Sequence, residues 1–239
     1  MGLVVTGVVA AVVMMVASGV NAASIVIDDF TTPAGDQSVS VTGVGTGSDT
    51  KTGLPTANTM GGARKLDVNV LSSTFGNISS LNTNHTLGTL SANNGSGNSA
   101  IDCVTWDANG AGLGGVSLTL SGDPAASFLQ VHVLSSDLNL GFRIDITELG
   151  GGGDTAYWSS NLGPGISYVN QALSSFTNAG AVDFTKVNKI VMTLTGPADQ
   201  DGTLGLVEVT STPIPEPASM MLLGTGLMTF IGWRRRRRS

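Results

Sequence analysis

Short segments in which apolar and polar residues alternate recur along the chain from about residue 25 to residue 206. Examples are Ile25/Ile27, Leu66/Val68/Val70, Leu129/Val131/Val133 and Ile190/Met192/Leu194. A period of two places the apolar side chains on one face of a β-strand. The intervening segments are rich in Gly, Asn, Ser and Asp, which favour turns. The pattern therefore predicts a chain built from about nine or ten short strands.

Helical periodicity is weak in the same region. No window keeps an apolar face at helical spacing for three turns, although Val169–Phe176 could form one short helix. Many short strands with little chain left for crossover helices favour an antiparallel β-sandwich. We therefore expect an all-β fold, with a single sandwich domain over residues 23–212.

The charge of this body is strongly acidic. Residues 23–212 contain 16 acidic and 6 basic side chains, a net charge of −10. Such a surface repels phosphate backbones, so nucleic acid is excluded as an expected partner. The single cysteine, Cys103, excludes an internal disulfide and any site built from several cysteines. We expect Cys103 itself to be a small buried residue on a strand.

The N-terminal sequence has the features of an export signal. Leu3–Val20 is an apolar run without charge, and Val20-Asn21-Ala22 suits cleavage by signal peptidase after Ala22. We therefore predict a signal peptide over residues 1–22. No Lys or Arg precedes the apolar run, whereas signal peptides normally begin with a basic segment. The alternative is an uncleaved membrane anchor.

The C-terminus, residues 213–239, has three successive parts. Pro215-Glu216-Pro217 is rigid and incompatible with a helix, because proline fixes φ and lacks an amide donor. Ala218–Trp233 then gives sixteen uncharged residues, which predict a short membrane-spanning helix of about 24 Å. The basic residues that follow place the C-terminus on the cytoplasmic side; they are Arg234, Arg235, Arg236, Arg237 and Arg238. The alternative is a simple tail anchor.

This order of motif, short apolar helix and arginine cluster resembles the PEP-CTERM sorting signal of exosortase substrates. The resemblance covers about 27 residues and implies recognition of Pro215, Glu216 and Pro217 by an exosortase-like membrane enzyme. The arginines would act as a stop-transfer signal during sorting. The resemblance further implies export, transient anchoring by the C-terminal helix, and delivery to the cell envelope or the extracellular matrix of an exopolysaccharide-producing biofilm.

The two ends of the body resemble jelly-roll β-sandwiches of the carbohydrate-binding type. The opening segment is Ile25–Phe30, and the closing segment runs from Asp183 to Leu204. The resemblance implies that the first and last strands pair. Asp28 and Asp29 would then lie near the C-terminal strand.

The residues that carry catalysis in other proteins form no recognisable signature here. The body has only two histidines, His85 and His132, and two glutamates, Glu148 and Glu208, and it lacks a Gly-x-Ser-x-Gly elbow. We therefore expect a protein without catalytic activity. A secreted hydrolase remains the least favoured alternative.

One segment has the spacing of a calcium-binding loop. Pro197–Gly202 followed by Glu208 matches several EF-hand positions, but Pro197 replaces the first aspartate and no helices flank the loop. A hairpin turn between the last two strands, closed by Gly202, is the simpler interpretation. The alternative is a structural calcium ion held by some of Asp28, Asp29, Asp199 and Asp201. We expect no other cofactor.

Three classes of function follow from these observations. The first is a structural or adhesive protein that is retained in the envelope or in exopolysaccharide. The second is a carbohydrate-binding module, which a flat aromatic patch formed by Tyr157, Trp158 and Tyr168 would favour. The third is the hydrolase. The first is the function that we expect.

Overall fold

The computed structural model describes residues 23–32, 36–150 and 152–211. Within these ranges the chain forms thirteen β-strands and four single-turn 3₁₀ helices, at Met60–Gly62, Pro124–Ala126, Leu173–Ser175 and Ala179–Ala181. No helix in the described ranges is both long and apolar enough to cross a membrane. The predicted signal peptide with Ala22 and the predicted C-terminal helix lie outside them.

The strands form two antiparallel sheets. The seven-stranded sheet has the order β11 (Tyr168–Ala172), β8 (Phe128–Ser136), β13 (Asp201–Thr210), β6 (Thr89–Asn94), β5 (Ile78–Asn84) and β2 (Ser38–Thr42), and β1 (Ser24–Asp28) also pairs with β13. The six-stranded sheet has the order β10 (Thr155–Leu162), β9 (Leu140–Glu148), β12 (Val187–Gly196), β7 (Asn98–Trp106), β4 (Ala63–Ser73) and β3 (Gly45–Thr52). The prediction of an all-β, antiparallel fold is confirmed.

The core lies between the two sheets and follows the alternation of the sequence. One apolar cluster contains the inward side chains of both sheets, among them Leu66, Val131 and Ile144, each with no exposed surface. Trp106 is the largest fully buried side chain. Removing apolar surface from water at about 25 cal/mol per Å² makes this shared core the main stabilising contribution.

The inward face of strand β7 is not the face that carries the apolar pair Ile101 and Cys103. Asp102 points inward and is only 3% exposed, whereas Cys103 is half-buried on the outer face. Cys103 lies on a strand, as expected, but the expectation that it is buried is wrong. The larger inward residues of the same strand, Val104 and Trp106, determine which face is buried, and Asp102 shares their parity.

The predicted short helix over Val169–Phe176 is replaced by a strand and a single 3₁₀ turn. Tyr168–Ala172 pairs along its whole length with β8, and only Leu173–Ser175 is helical. Cross-strand pairing outweighs the local helical pattern here, because an amphipathic segment of this length is too short to form a stable helix alone.

The first and last strands pair, as the jelly-roll resemblance implied. Ser24 lies opposite Thr210, and Asp28 lies opposite Val207. Beyond the last pair, the Ser211 N–H donates to the Ala23 carbonyl at 3.3 Å. The described chain therefore begins and ends side by side, at what we call the near end of the sandwich.

The opposite end, which we call the far end, carries the turns that connect the strands there. They include residues 43–44, 74–77, 95–97, 137–139 and 197–200. The last of these joins β12 of one sheet to β13 of the other, so the segment that resembled a calcium loop passes between sheets instead of forming a hairpin.

Candidate functional site

The near end is the first candidate, because both terminal segments start there. Ala23 follows the predicted cleavage site directly, and Ser211 precedes Pro213 by two residues. The hydrogen bond between them closes the β1–β13 ladder. The last described residue before the C-terminal segment therefore lies beside the first strand, at the end of the sandwich opposite the far end.

The second candidate is a polar groove on the outer face of the six-stranded sheet, close to the far end. Its volume is about 300 Å³. It is lined by Gly141, Phe142, Arg143, Ser159, Ser160, Asn161 and Thr195. Asn161, Gly141 and Thr195 lie opposite one another on three adjacent strands. A Cβ on Gly141 would stand 3.1 Å from the Thr195 carbonyl oxygen, so the absence of a side chain there keeps the groove open.

Arg143 is held rigidly at the edge of this groove. Its Nε and Nη2 donate to the carboxylate of Asp145 at 2.6–3.1 Å. Its Cζ lies 3.9 Å from the centre of the Tyr157 ring. The hydrogen bonds to Asp145 raise the pKa of Arg143. The arrangement places the Arg143–Asp145 ion pair beside the hydroxyl and amide groups of the groove.

A comparison with protein-family models finds one match, to the PEP-CTERM protein-sorting motif, over residues 213–237. Residues 213–237 are a PEP-CTERM motif. The match spans Pro215, Glu216, Pro217 and the first four arginines of the terminal cluster. The motif thus begins two residues after the described part of the near end, and it confirms the resemblance seen in the sequence. Its residues lie outside the described ranges.

The solved structures that match this chain include carbohydrate-binding modules at low sequence identity. The family 11 module of the cellulosomal cellulase Lic26A-Cel5E of Clostridium thermocellum is 13% identical, with a TM-score of 0.39, over 78% of this chain and 94% of that one. The solution structure of CtCBM11 is 11% identical, with a TM-score of 0.43, over 82% and 99%. A search of curated proteins finds no match.

The three aromatic residues that could have formed a flat patch are separated. Tyr157 lies under Arg143 on the outer face, whereas Trp158 points inward and packs against Phe142 with ring centres 5.3 Å apart. Tyr168 belongs to the other sheet, where its ring stacks on His132 at 4.5 Å. Adjacent residues of a strand point to opposite faces, so Tyr157 and Trp158 cannot form one platform.

The candidate catalytic side chains take part in other contacts. His85 lies in an exposed turn, with Nδ1 at 2.9 Å from Asp36 and Nε2 at 3.4 Å from the Thr86 hydroxyl. Within the described part of the chain, no serine is hydrogen-bonded to either histidine. Glu148 accepts the Asp183 N–H at 2.7 Å, while Glu208 is buried on β13 of the other sheet.

Asp28, one of the four aspartates of the alternative calcium site, forms a buried ion pair. Both of its carboxylate oxygens lie 2.9 Å from Nη1 of Arg64, and Trp106 Nε1–H donates to Oδ2 at 2.8 Å. Burial raises the pKa of Asp28, and Arg64 opposes this shift. The neighbouring Asp29 accepts from Asn58 Nδ2 at 2.6 Å.

The other two aspartates lie at the far end. Asp199 accepts the Gly97 N–H at 2.9 Å. Asp201 starts β13, six residues before the partner of Asp28, which corresponds to roughly 20 Å along a strand. Among the described residues, no three His, Cys, Asp or Glu side chains are grouped so that they could hold a metal. The structure thus does not bring the two aspartate pairs together, and calcium binding stays a prediction.

Proposed function

We propose that this chain is a non-catalytic protein of the cell envelope or extracellular matrix, sorted through its PEP-CTERM motif by an exosortase-type enzyme. The observation that supports this proposal is the adjacency of Ala23 and Ser211 at the near end. Signal peptidase would act at Ala22 on one side of this junction, and the sorting enzyme would act on the motif at the other. Neither step needs to disturb the sandwich.

The spacing between domain and motif supports the same proposal. Only Thr212 separates Ser211 from the motif that begins at Pro213. The arginines 234–238 would keep the C-terminus cytoplasmic during sorting, because basic residues are retained on that side. Until the motif is processed, the sandwich would therefore lie next to the outer surface of the membrane that the C-terminal helix spans. Its far end would point away from that membrane.

The proposed role in the envelope or matrix is structural or adhesive, in an exopolysaccharide context. The groove around Gly141 favours a second candidate function within that context, the binding of a carbohydrate. Hydroxyl and amide groups from Ser159, Asn161 and Thr195 converge there beside the fixed Arg143. Such groups exchange hydrogen bonds with sugar hydroxyls, and the groove lies near the far end, where it would meet the matrix.

The test is the fate of the two terminal segments. Intact mass spectrometry of the protein recovered from envelope and medium is expected to show a chain that starts at Ala23 and lacks the segment beyond the Pro-Glu-Pro motif. A strain without the exosortase-type enzyme provides the control, because it should accumulate the arginine-tailed form. Full-length, arginine-tailed protein as the sole species in the producing strain would contradict the proposal.

A further inference from the structure

Strand β2 is a free edge of the seven-stranded sheet. The Thr83 N–H donates to the Gln37 carbonyl at 2.9 Å, and the Gly43 N–H donates to the Asn77 carbonyl at 3.1 Å. Odd-numbered residues therefore bond to β5. In an antiparallel ladder, the N–H and C=O groups of the residues between them point away from that neighbouring strand. These residues are Ser38, Ser40 and Thr42, and no described strand pairs with them on that side.

This edge lacks the features that usually prevent strands from pairing between molecules. Edge strands of natural proteins commonly carry a lysine or other charge, a proline or a bulge. The sequence of β2 is Ser-Val-Ser-Val-Thr, and its side chains Ser38, Ser40 and Thr42 are exposed. No charged residue occurs from Gln37 to Ser48. The edge is thus available for pairing with another strand.

Large apolar side chains are exposed at the corner where β2 ends. Val44 is 68% exposed and Phe75 is 72% exposed. Ile78 is 54% exposed and lies directly opposite Thr42, while Leu71 lies beside the position where β3 begins. Exposed apolar residues that are grouped in this way mark an interaction surface. The free edge and this apolar corner adjoin, so one partner could cover both.

The charge distribution indicates which partner fits. The body of the chain has a net charge of −10, so two copies repel each other over most of their surfaces. The segment from Val68 to Ile101, which contains β5, β6 and most of the apolar corner, has no charged residue, like the segment that contains β2. A second copy can therefore approach this side without charge repulsion, and a hydroxyl-bearing edge is complementary to itself.

We propose that β2 pairs with β2 of a second copy of this chain. The pairing is antiparallel about a two-fold axis at Ser40, so that Ser38 of one copy lies opposite Thr42 of its partner. The two seven-stranded sheets become one continuous sheet. Because the strands run in opposite directions, the near ends of the two copies lie at opposite ends of the dimer. The arrangement therefore suits released copies, or copies held on two facing surfaces.

The first test compares two lysine substitutions on the full chain in detergent solution. Ser40→Lys places like charges opposite each other at the two-fold axis. Asn170→Lys makes a matched change on β11, the edge strand at the other end of the strand order. Sedimentation over a concentration series should show a dimer for the unsubstituted chain and for Asn170→Lys. For Ser40→Lys we expect dimerisation weakened by at least about tenfold. At a concentration where all three proteins are monomeric, the melting temperature should be unchanged.

Equal dimerisation of the two variants, loss of the dimer in both, or a monomeric unsubstituted chain would overturn the proposal. A second test uses cross-linking in a Cys103→Ser background, which removes the natural thiol. Hydrogen-bonded antiparallel partners have Cα atoms about 5.5 Å apart, within disulfide range. Mild oxidation should therefore link Ser40→Cys into a dimer and leave Asn170→Cys monomeric; the reverse pattern would refute the pairing. Neither readout depends on sorting, so the two proposals fail separately.

Discussion

Nη1 of Arg64 lies 2.9 Å from each carboxylate oxygen of Asp28, and both side chains are buried. The pair joins β1, the first strand of the domain, to β4 of the opposite sheet. Nε of Arg64 also donates to Gln37 at 2.7 Å, and Trp106 donates to the same carboxylate. Asp28 therefore links β1, which pairs with β13 of the seven-stranded sheet, to β4 and β7 of the six-stranded sheet.

Removing the cation of this pair should destabilise the fold strongly. Arg64→Leu leaves the Asp28 carboxylate buried without its counter-ion, and we expect a loss of roughly 3–5 kcal/mol in the free energy of unfolding. Urea denaturation measures this loss. Lys65→Leu is the control, because its pair with Asp67 is exposed and should be worth at most about 1 kcal/mol. Similar losses in both variants would contradict this account.

Stability should fall as the pH rises toward neutrality, because of Asp102. Burial raises the pKa of Asp102 to about 7, and its Oδ1 has no hydrogen-bond partner. The folded state keeps the proton that the unfolded state releases near pH 4, so the stabilisation is present at low pH and is lost as pH rises through 7. Between pH 5 and pH 8 the loss should approach roughly 3 kcal/mol.

Asp102→Asn provides the comparison for that titration. An amide does not ionise, so the variant should gain stability relative to the natural chain on going from pH 5 to pH 8. Denaturant midpoints at the two pH values measure the difference. A stability difference between the two proteins that is independent of pH would show that Asp102 does not titrate in this range.

Sorting should depend on the single carboxylate within the PEP-CTERM motif. Glu216 is held between two prolines, and we expect Glu216→Ala to abolish delivery to the cell surface. The melting temperature of the sandwich should not change, because Glu216 follows the described domain. Surface labelling of whole cells measures delivery, with Thr225→Ala as a control within the apolar segment. Normal delivery of Glu216→Ala would mean that the segment acts as a plain membrane anchor.

Carbohydrate binding, if the groove provides it, should depend on Arg143. Arg143→Ala removes the fixed cation and its hydrogen bonds, and we expect retention by the producing strain's own exopolysaccharide to weaken by about tenfold. Affinity electrophoresis measures this retention. Lys186→Ala is the matched control, because it breaks an exposed ion pair with Asp183 away from the groove. Unchanged retention of Arg143→Ala would exclude the groove as the binding site.

The alternation of the sequence predicted the fold because a period of two determines which side chains share a face. It did not reveal that Arg64 and Asp102, among other charged residues, are buried, although both follow the parity of apolar neighbours. Arg64 precedes the inward Leu66 by two residues, and Asp102 precedes the inward Val104 by two. A charged residue that shares the parity of inward apolar residues is the sequence signal that could have predicted these buried charges. The groups that face each charge can be identified only from the three-dimensional structure.

The groove was less predictable than the fold. Gly141, Asn161 and Thr195 lie on three strands that are separated by up to about fifty residues in the sequence, and their register depends on how each strand pairs. A glycine within a strand indicates a close approach or a depression, but it does not identify the opposing residues.

The pairing of β1 with β13 was predicted from a family resemblance. The sequence of neither strand indicates it alone.

The side-by-side ends of the domain also determine how it responds to mechanical force. If the C-terminal segment is fixed and the far end is pulled by attached material, tension runs along β13, which ends beside Ala23. The hydrogen bonds from β13 to β8, β6 and β1 are perpendicular to the strands, so they are sheared together instead of being unzipped one at a time. The strand that carries the tension, β13, is therefore held by hydrogen bonds to three neighbouring strands.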